Sequence, residues 1–304
     1  MAFLERHYGL AIDQLTPGPR GWTGITHTVA LHDGSRVFVK LFPRRRLPSM
    51  TLAALPVLAT LDLPEAPRPL ASRSGALHEW LGDDLVVVFE YVNGPRVDPR
   101  TLRQECIGDL IARLHQQPPR PLERETFRWP HARRWPYALA RAQQSSADPT
   151  REGLRRFLRQ QQAAHANAWS TFKALGGACR VARFHMVLTH GDWPFNLLYA
   201  ADGTIHLVDW DELLLAPPER DTWFATDDAD FLRGYRGVRA DYAPGELATA
   251  YYLHLRYFED LLGLLRAIVD RDDPRHIRPT AVESLTGPWM TGLRQRMAGF
   301  ARQS

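Results

Sequence analysis

The sequence predicts an α+β fold in which a small antiparallel β-sheet is followed by a large, mainly helical region. Two observations carry this prediction. Residues 1–92 contain short runs rich in β-branched and aromatic residues that are joined by turn signals. Most of residues 96–304 instead place apolar side chains at helical spacing. A chain of 304 residues has room for one large domain or for two lobes that share a cleft.

The first two predicted strands form a hairpin. Ile25–Leu31 and Arg36–Phe42 have strand-like composition, and residues 32–35 between them include an Asp-Gly turn signal. Lys40 should therefore lie on the second strand. It is one of only two lysines in a chain whose other basic residues are arginines, so a lysine at this position is unusual.

A short helix and two more strands should complete the N-terminal region. The helix is expected at residues 50–61, where Pro56 should shorten, kink or break it. The strands are expected at residues 76–81 and 85–91.

The remaining sequence, residues 96–304, predicts a second lobe made mainly of helices. Long helices are expected at residues 100–117, 151–175 and 244–269. A β-hairpin is expected at residues 197–208 around a turn at residues 201–203. Residues 93–95 would be the hinge that links this lobe to the N-terminal lobe, residues 1–92.

Charge and hydropathy disfavour two classes of protein. The net charge is +4, but the 38 basic residues are spread along the chain among 34 acidic ones. No apolar run is long enough to span a bilayer, and residues 1–10 lack the apolar stretch of a secretory signal. We therefore expect a cytoplasmic protein with no nucleic-acid or membrane partner. A basic nucleic-acid binder is the alternative, and a steep salt dependence of its retention on DNA or RNA would reveal it.

Three polar residues near the predicted hairpin have the chemistry that phosphoryl transfer needs. Asp192 and Asn196 lie in a polar loop, and Asp209 follows the second apolar strand of the hairpin. Phosphoryl transfer requires a carboxylate that orients the acceptor and oxygen ligands that hold Mg²⁺ on the phosphates. The alternative is that these short polar side chains cap turns of the loop.

The motif His190-Gly191-Asp192, followed by Asn196 and by Asp209-Trp210-Asp211, resembles the aminoglycoside phosphotransferase and choline kinase family. The resemblance covers most of the chain and implies a two-lobed, protein-kinase-like fold. It also includes Lys40, the hinge-like residues 89–92, residues 111–115 and Asp221. Within the family, residues 209–223 are most similar to spectinomycin phosphotransferase-like members.

This resemblance implies a role for each motif residue. Asp192 would orient the substrate hydroxyl and accept its proton late in the reaction, while Asn196 and Asp209 would bind Mg²⁺. Lys40 would contact the α- and β-phosphates of ATP or GTP. The backbone of the hinge at Glu90, Tyr91 and Val92 would pair with the purine edge.

Two features depart from the family pattern. Family members place the asparagine five residues after the aspartate, whereas Asn196 follows Asp192 by four. A missing residue shortens an extended loop by roughly 3.3 to 3.6 Å, so a pseudokinase that binds nucleotide without transferring phosphate is an alternative. The glutamate that usually pairs with the strand lysine has no counterpart in residues 41–61, and Asp62 or Glu65 would have to replace it.

The candidate acceptor contacts are aromatic or acidic. They are Trp193, Asp211, Trp223, Asp227, Asp228, Glu259 and Asp260. The acidic groups could bind a cationic sugar or amine, and the tryptophans could line its pocket. A solvated acidic face and core packing are the alternatives.

A glycine series near the N-terminus has the spacing of a nucleotide-covering loop. It consists of Gly18, Gly21 and Gly24. Glycine is equally an ordinary turn residue, so both interpretations stay open.

The function expected from the resemblance is transfer of the γ-phosphate of ATP or GTP to a hydroxyl, with Mg²⁺ as the metal. The acceptor would be an aminoglycoside-like or aminocyclitol antibiotic, which would make the protein an antibiotic-resistance enzyme, or a related metabolite. A metabolic kinase for choline, homoserine or a sugar amine is the alternative enzyme.

Overall fold

The computed structural model of the protein describes residues 1–18, 24–48, 50–269 and 278–300. The strands are β1 (Ile12–Pro17), β2 (Ile25–Leu31), β3 (Arg36–Phe42), β4 (Glu79–Leu81), β5 (Asp84–Glu90), β6 (Val187–Thr189), β7 (Leu197–Tyr199), β8 (Ile205–Leu207) and β9 (Leu214–Ala216). The helices are α1 (Ala2–Tyr8), α2 (Thr51–Ala59), α3 (Gln104–Gln116), α4 (Trp135–Ala142), α5 (Pro149–Gln160), α6 (Gln162–Val181), α7 (Glu219–Thr222), α8 (Ala229–Val238), α9 (Glu246–Val269), α10 (Arg278–Thr286) and α11 (Pro288–Phe300). The predicted α+β fold is confirmed.

The chain divides into two compact units, each built from separate stretches of sequence. The first comprises residues 1–124, 186–221 and 225–242, and the second comprises residues 125–185, 222–224 and 243–304. The hinge predicted at residues 93–95 falls inside the first unit, and the lobe boundary there stays a prediction.

The first unit contains a five-stranded antiparallel sheet with the strand order β1-β2-β3-β5-β4. The predicted hairpin of β2 and β3 is confirmed, and its register sets Thr26 opposite Lys40. Side chains alternate across a strand, so Lys40 shares a face of β3 with Phe42. That face packs against Leu55 of α2. The lysine is therefore on the side of the sheet that α2 covers.

Helix α2 contains Pro56, yet it is continuous over nine residues. The prediction that Pro56 leaves this helix short, kinked or broken is confirmed in its first form, since α2 ends at Ala59. Pro56 removes one backbone donor, but Leu55, Val57 and Leu58 are buried and hold the helix against the sheet. Strand β1 was not predicted, because this edge strand is largely exposed and ends at Pro17.

The short hairpin of β7 and β8 carries the candidate catalytic segment. The predicted hairpin is confirmed, and its register pairs Leu197 with Leu207 and Tyr199 with Ile205. Strand β6 pairs with β9, and the loop that follows β6 leads into β7.

The buried carboxylate of Asp221 fastens this loop to the rest of the unit. It accepts hydrogen bonds from the backbone N–H groups of His190, at 2.8 Å, and Gly191, at 2.6 Å. His115 Nε2, on α3, lies 3.0 Å from the same carboxylate. The backbone carbonyl of Asp221 accepts a further bond from the indole of Trp193 at 2.6 Å. A single residue therefore positions the whole start of the loop.

This network extends into the packing of two helices. His115 Nδ1 lies 2.6 Å from the hydroxyl of Tyr235 on α8. Burial raises the pKa of Asp221, but the hydrogen bond with His115 and the positive charge of Arg220 lower it by more, so the pKa lies below its ordinary value. The carboxylate is thus held in its ionised form.

Helices α3 and α8 approach each other closely because each has a glycine at the crossing. A Cβ on Gly108 would lie 2.1 Å from the carbonyl oxygen of Phe231, and one on Gly234 would lie 1.9 Å from that of Glu105. The backbones could not approach so closely with larger residues there.

The second unit is a helical bundle around an aromatic core. The predicted long helix at residues 244–269 is confirmed as α9. The helix predicted at residues 151–175 is instead two helices, α5 and α6, which meet at Gln161. The core contains Trp129, Trp135, Trp169, Phe172 and Phe258. Among the described residues, no helix combines the length and the apolar character needed to cross a bilayer.

We predict that Gly234→Ala destabilises the protein, because its new Cβ would collide with the backbone of α3. The free energy of unfolding in urea should fall by about 2 to 3 kcal/mol. Gly237→Ala is the matched control on the same helix, since nothing lies within 4 Å of its Cβ. It should be neutral or gain up to about 1 kcal/mol from helix propensity. Equal unfolding midpoints for the two variants would contradict the proposed close crossing.

We predict that Asp221→Asn lowers the free energy of unfolding by roughly 3 to 5 kcal/mol, because an amide leaves buried donors without their ionised acceptor. Asp202→Asn is the control: its carboxylate is exposed in a turn, where it accepts one bond from Thr204 N, and it should change stability by less than about 0.5 kcal/mol. Urea titrations measure both.

The effect of Asp221→Asn should also depend on pH. The folded-state pKa of Asp221 is depressed, so its stabilisation is present above the unfolded pKa and is lost as the pH falls through the folded pKa. The difference in free energy of unfolding between the wild type and Asp221→Asn should therefore become smaller below about pH 4. A constant gap across this range would show that the charge of Asp221 contributes nothing.

Candidate active site

The loop between Asp192 and Asn196 closes despite its shorter spacing. Trp193–Phe195 form a single turn of 3₁₀-helix, which returns the chain so that Asn196 N donates to the carbonyl oxygen of Trp193 at 3.0 Å. The amide Nδ2 of Asn196 donates to the carbonyl oxygen of Asp192 at 2.9 Å and to its carboxylate at 3.1 Å. The two side chains are therefore adjacent, and the four-residue spacing does not separate them.

Asn196 also reaches the segment that contains Asp209. Its carbonyl oxygen accepts a hydrogen bond from Val208 N at 2.9 Å, which continues the β7–β8 ladder by one step. Asp209 follows with a positive φ of 68°, a conformation uncommon for a residue with a side chain. Strained backbone of this kind often occurs at functional sites.

The oxygen atoms of Asn196 and Asp209 are of the type that ligates magnesium. Because the amide nitrogen of Asn196 is bonded to Asp192, the amide oxygen is the atom that could ligate a cation. The Asp209 side chain is 37% exposed, which leaves its carboxylate open to one side. Within the described ranges, no three His, Cys, Asp or Glu residues could hold a metal by themselves. Mg²⁺ often takes only one or two protein oxygens and completes its shell with phosphates and water.

Lys40 is buried and paired with two carboxylates. Its Nζ lies 2.5 Å from Asp209 Oδ1 and 2.6 Å from Asp211 Oδ2. Burial lowers the pKa of Lys40, but the charges of Asp211 and Asp209 raise it by more, so the ammonium stays protonated. Burial raises the pKa of Asp209, but the charge of Lys40 lowers it by more, so the pKa lies below its ordinary value.

The partner of Lys40 is neither of the residues suggested by the sequence. Glu65 instead forms a two-point ion pair with Arg113 of α3, at 2.6 and 3.0 Å. The backbone carbonyl of Asp62 accepts a hydrogen bond from Gln117. The pairing of Lys40 with Asp211 was not predicted, because the two residues are far apart along the chain.

The motif residues His190 and Gly191 hold the loop in shape. His190 is fully buried, with Nε2 3.0 Å from the carbonyl oxygen of Val208, and burial depresses its pKa. Gly191 has φ 91°, and a Cβ there would lie 2.3 Å from the guanidinium of Arg220. Only glycine fits both requirements.

The two tryptophans of the motifs belong to the core of the first unit. Trp193 is 1% exposed and stacks on Phe231, so the expectation that it lines an acceptor pocket is not supported. Trp210 is 4% exposed, and its indole N–H donates to the carbonyl oxygen of Leu207. Its ring lies edge-on to His190 at 4.7 Å. The structure favours the core-packing interpretation for Trp193.

The predicted hinge begins where β5 ends. Glu90 N donates to the carbonyl oxygen of Arg68 at 3.0 Å, and the Glu90 carboxylate accepts from Arg68 N. The Tyr91 ring lies under the guanidinium of Arg36 at 5.6 Å. Contact of Glu90, Tyr91 and Val92 with a purine stays a prediction, and the amide of Glu90 is already bonded within the protein.

The two described glycines of the N-terminal series both lie against neighbouring strands. A Cβ on Gly18 would lie 2.5 Å from Thr26 Oγ1, and one on Gly24 would lie 2.7 Å from the carbonyl oxygen of Leu41 and 3.2 Å from Cγ of Lys40. Gly21 lies outside the described residues. Gly24 is thus required for close packing against the strand that carries Lys40.

The acidic candidates of the first unit differ in their surroundings. Asp228 is the N-cap of α8, where its carboxylate accepts hydrogen bonds from Asp230 N and Phe231 N at 3.0 Å. Asp227 is exposed. Asp211 is bonded to Lys40, as described above.

The other candidates lie in the second unit. Trp223 packs edge-on against Trp289, and the Trp289 indole donates to Asp260 at 2.7 Å. Asp260 also pairs with Arg256 at 3.0 Å, and Glu259 is exposed beside it. Trp223 and Asp260 thus share Trp289 as a neighbour, and an acceptor role for these residues stays a prediction.

Comparison with known proteins identifies the family and the fold. Residues 19–252 match the sequence profile of the phosphotransferase enzyme family. Protein StrN of Streptomyces griseus is 33% identical over 172 residues, so the match spans about half of each chain, 52% of this one and 53% of StrN.

Solved structures are similar over nearly the whole chain. A spectinomycin phosphotransferase in complex with ADP and spectinomycin has a TM-score of 0.79 at 17% identity, over 98% of this chain and 97% of that one. A microcompartment-associated aminopropanol kinase has a TM-score of 0.62 at 16% identity, over 99% and 96%. These similarities confirm the expected kinase-like α+β fold. With most of its length matching the family profile, the chain belongs to the phosphotransferase enzyme family.

Proposed function

We propose that the protein transfers the γ-phosphate of ATP or GTP to a hydroxyl of an aminocyclitol or aminoglycoside-like antibiotic, with Mg²⁺ as the metal. One observation carries the phosphotransfer step: Asp192 bonds to Asn196, Asn196 accepts a bond from Val208 directly before Asp209, and Asp209 pairs with Lys40. This chain of contacts supports a base, metal ligands and a phosphate-binding cation on the first unit.

In this reaction the acceptor oxygen forms a bond to the γ-phosphorus while the bond from that phosphorus to the bridging oxygen breaks and the nucleoside diphosphate leaves. Asp192 orients the hydroxyl and takes its proton late, because a loose transition state does not need an alkoxide early. The bond from Asn196 Nδ2 fixes the Asp192 carboxylate for this task.

The phosphates would be bound by Lys40 and by the metal. Asn196 and Asp209 would hold Mg²⁺, which when bound neutralises charge on the β- and γ-phosphates. Lys40 is protonated and nearly fully enclosed, so it presents one fixed positive charge. A fixed charge stabilises the developing negative charge of the leaving group without reorganisation of the site.

The antibiotic acceptor is supported by two observations. The similarity to the spectinomycin phosphotransferase has the higher TM-score, 0.79 against 0.62 for the aminopropanol kinase. In the second unit, Arg256 already pairs with Asp260 and lies over the Trp289 ring. The exposed carboxylate of Glu259 beside them suits an acceptor with positive charge.

A metabolic kinase is the second candidate, since the chain also shares its fold with an aminopropanol kinase. The pseudokinase alternative depended on the short loop. The contacts between Asn196 and Asp192 argue against it, because the shorter loop still brings the two side chains together.

An acceptor survey tests the proposal. The protein would be incubated with Mg-ATP or Mg-GTP and, separately, spectinomycin, an aminoglycoside, choline, homoserine or aminopropanol. Release of nucleoside diphosphate is measured together with the mass of the acceptor. We expect a gain of one phosphoryl group on an aminocyclitol or aminoglycoside and none when EDTA removes the metal. Phosphorylation of choline, homoserine or aminopropanol alone would support the metabolic kinase instead.

We predict that Asp192→Asn lowers kcat by about 10² to 10⁴ with little change in nucleotide affinity, because the amide cannot take the proton of the acceptor. Asp202→Asn is the matched control, since it makes the same change in an exposed turn of the adjacent hairpin. Single-turnover rates with saturating Mg-ATP measure the difference. Equal rates for the two variants would rule out Asp192 as the catalytic carboxylate.

A further inference from the structure

We propose that Asp211 is the residue that positions Lys40 for nucleotide binding, in the place where a glutamate of the neighbouring helix is missing. This inference rests on the proposed function. It gives Asp211 a role on the nucleotide side of the site, in contrast to the acceptor contact expected from the sequence.

The helix next to Lys40 cannot supply an acidic partner. In protein kinases, a glutamate on this helix pairs with the strand lysine. Here α2 has the sequence TLAALPVLA and contains no charged residue. Its Leu55 packs with Phe42 on the same face of the sheet as Lys40. That face is apolar, and a buried ammonium requires a charged partner from another element.

The two carboxylates on Lys40 differ in their exposure. The Asp209 side chain is 37% exposed, whereas that of Asp211 is 14% exposed, and the Lys40 side chain is 7% exposed. The more open carboxylate is the one that can turn toward a metal. When Asp209 does so, Asp211 remains as the enclosed partner that keeps the ammonium in place.

The backbone next to Asp211 is held by the packing of Trp210. Trp210 is buried between the two aspartates, with its indole bonded to Leu207 and its ring against His190. This packing fixes the segment that carries both carboxylates. Asp211 can therefore act as a rigid support for Lys40.

The test uses a double-mutant cycle on nucleotide affinity, which isolates the coupling of two residues. The Kd of ADP is measured by calorimetry in EDTA and in Mg²⁺ for the wild type, Lys40→Met, Asp211→Asn and the double variant. We expect each single variant to bind ADP about tenfold more weakly in both buffers, as the loss of one charge-assisted contact implies. The double variant should be no weaker than Lys40→Met. Asp209→Asn should weaken binding mainly in Mg²⁺.

Two further variants control for folding and charge. Asp211→Glu keeps the carboxylate and should restore ADP affinity to within about threefold of the wild type. Asp211→Ser is a second neutral variant in case Asp211→Asn does not fold. Asp202→Asn removes a charge from the exposed turn of the nearby hairpin and should leave the Kd unchanged.

If the wild type binds ADP, three results would overturn the inference and leave the proposed function intact. Unchanged affinity of Asp211→Asn would leave Asp211 as an acceptor contact. Weaker binding only in Mg²⁺ would make it a metal ligand. Tighter binding would mean that Asp211 merely repels the phosphates. A wild type that binds no ADP in either buffer would instead overturn the proposed function, and the inference with it.

Discussion

The buried carboxylate of Asp221 is the interaction on which the rest of the site depends. A charge in a protein interior is costly unless hydrogen bonds and opposite charges surround it. Asp221 meets this condition by binding two backbone amides of the catalytic loop and His115 of α3. The same bonds that keep it ionised therefore fix the point from which Asp192 is presented.

Close packing transmits this constraint to the helices. His115 lies on α3 and contacts both Asp221 and Tyr235, which is on α8. The two helices touch at Gly108 and Gly234. The glycines allow the close crossing, and the crossing brings the buried histidine to the carboxylate. The polar network and the helix packing are thus parts of one arrangement.

The short catalytic loop and the missing helix glutamate are each accommodated by local structure. A 3₁₀ turn brings Asn196 beside Asp192, and one further bond of the β7–β8 ladder joins Asn196 to Val208, the residue before Asp209. Asp211 contacts the buried lysine in the position that the helix leaves without an acidic group. In both cases the contact is made by a residue close to a motif aspartate: Asn196 lies four residues after Asp192, and Asp211 lies two residues after Asp209.

By itself the sequence determined the α+β class, the β2–β3 and β7–β8 hairpins, the long helix α9 and the residue types of the catalytic motif. These follow from local patterns: alternation, turn residues and helical spacing act over a few neighbouring positions. It also predicted Lys40 on its strand for the same reason.

Only the tertiary structure decided the contacts between distant segments. It paired Lys40 with Asp211 and Glu65 with Arg113, buried Trp193 in the core, and made Asp228 a helix cap. It also kept α2 intact across Pro56, because burial of the neighbouring leucines offsets the lost hydrogen bond. Such outcomes depend on which surfaces meet after the chain has folded, and residue types along one stretch of sequence do not specify them.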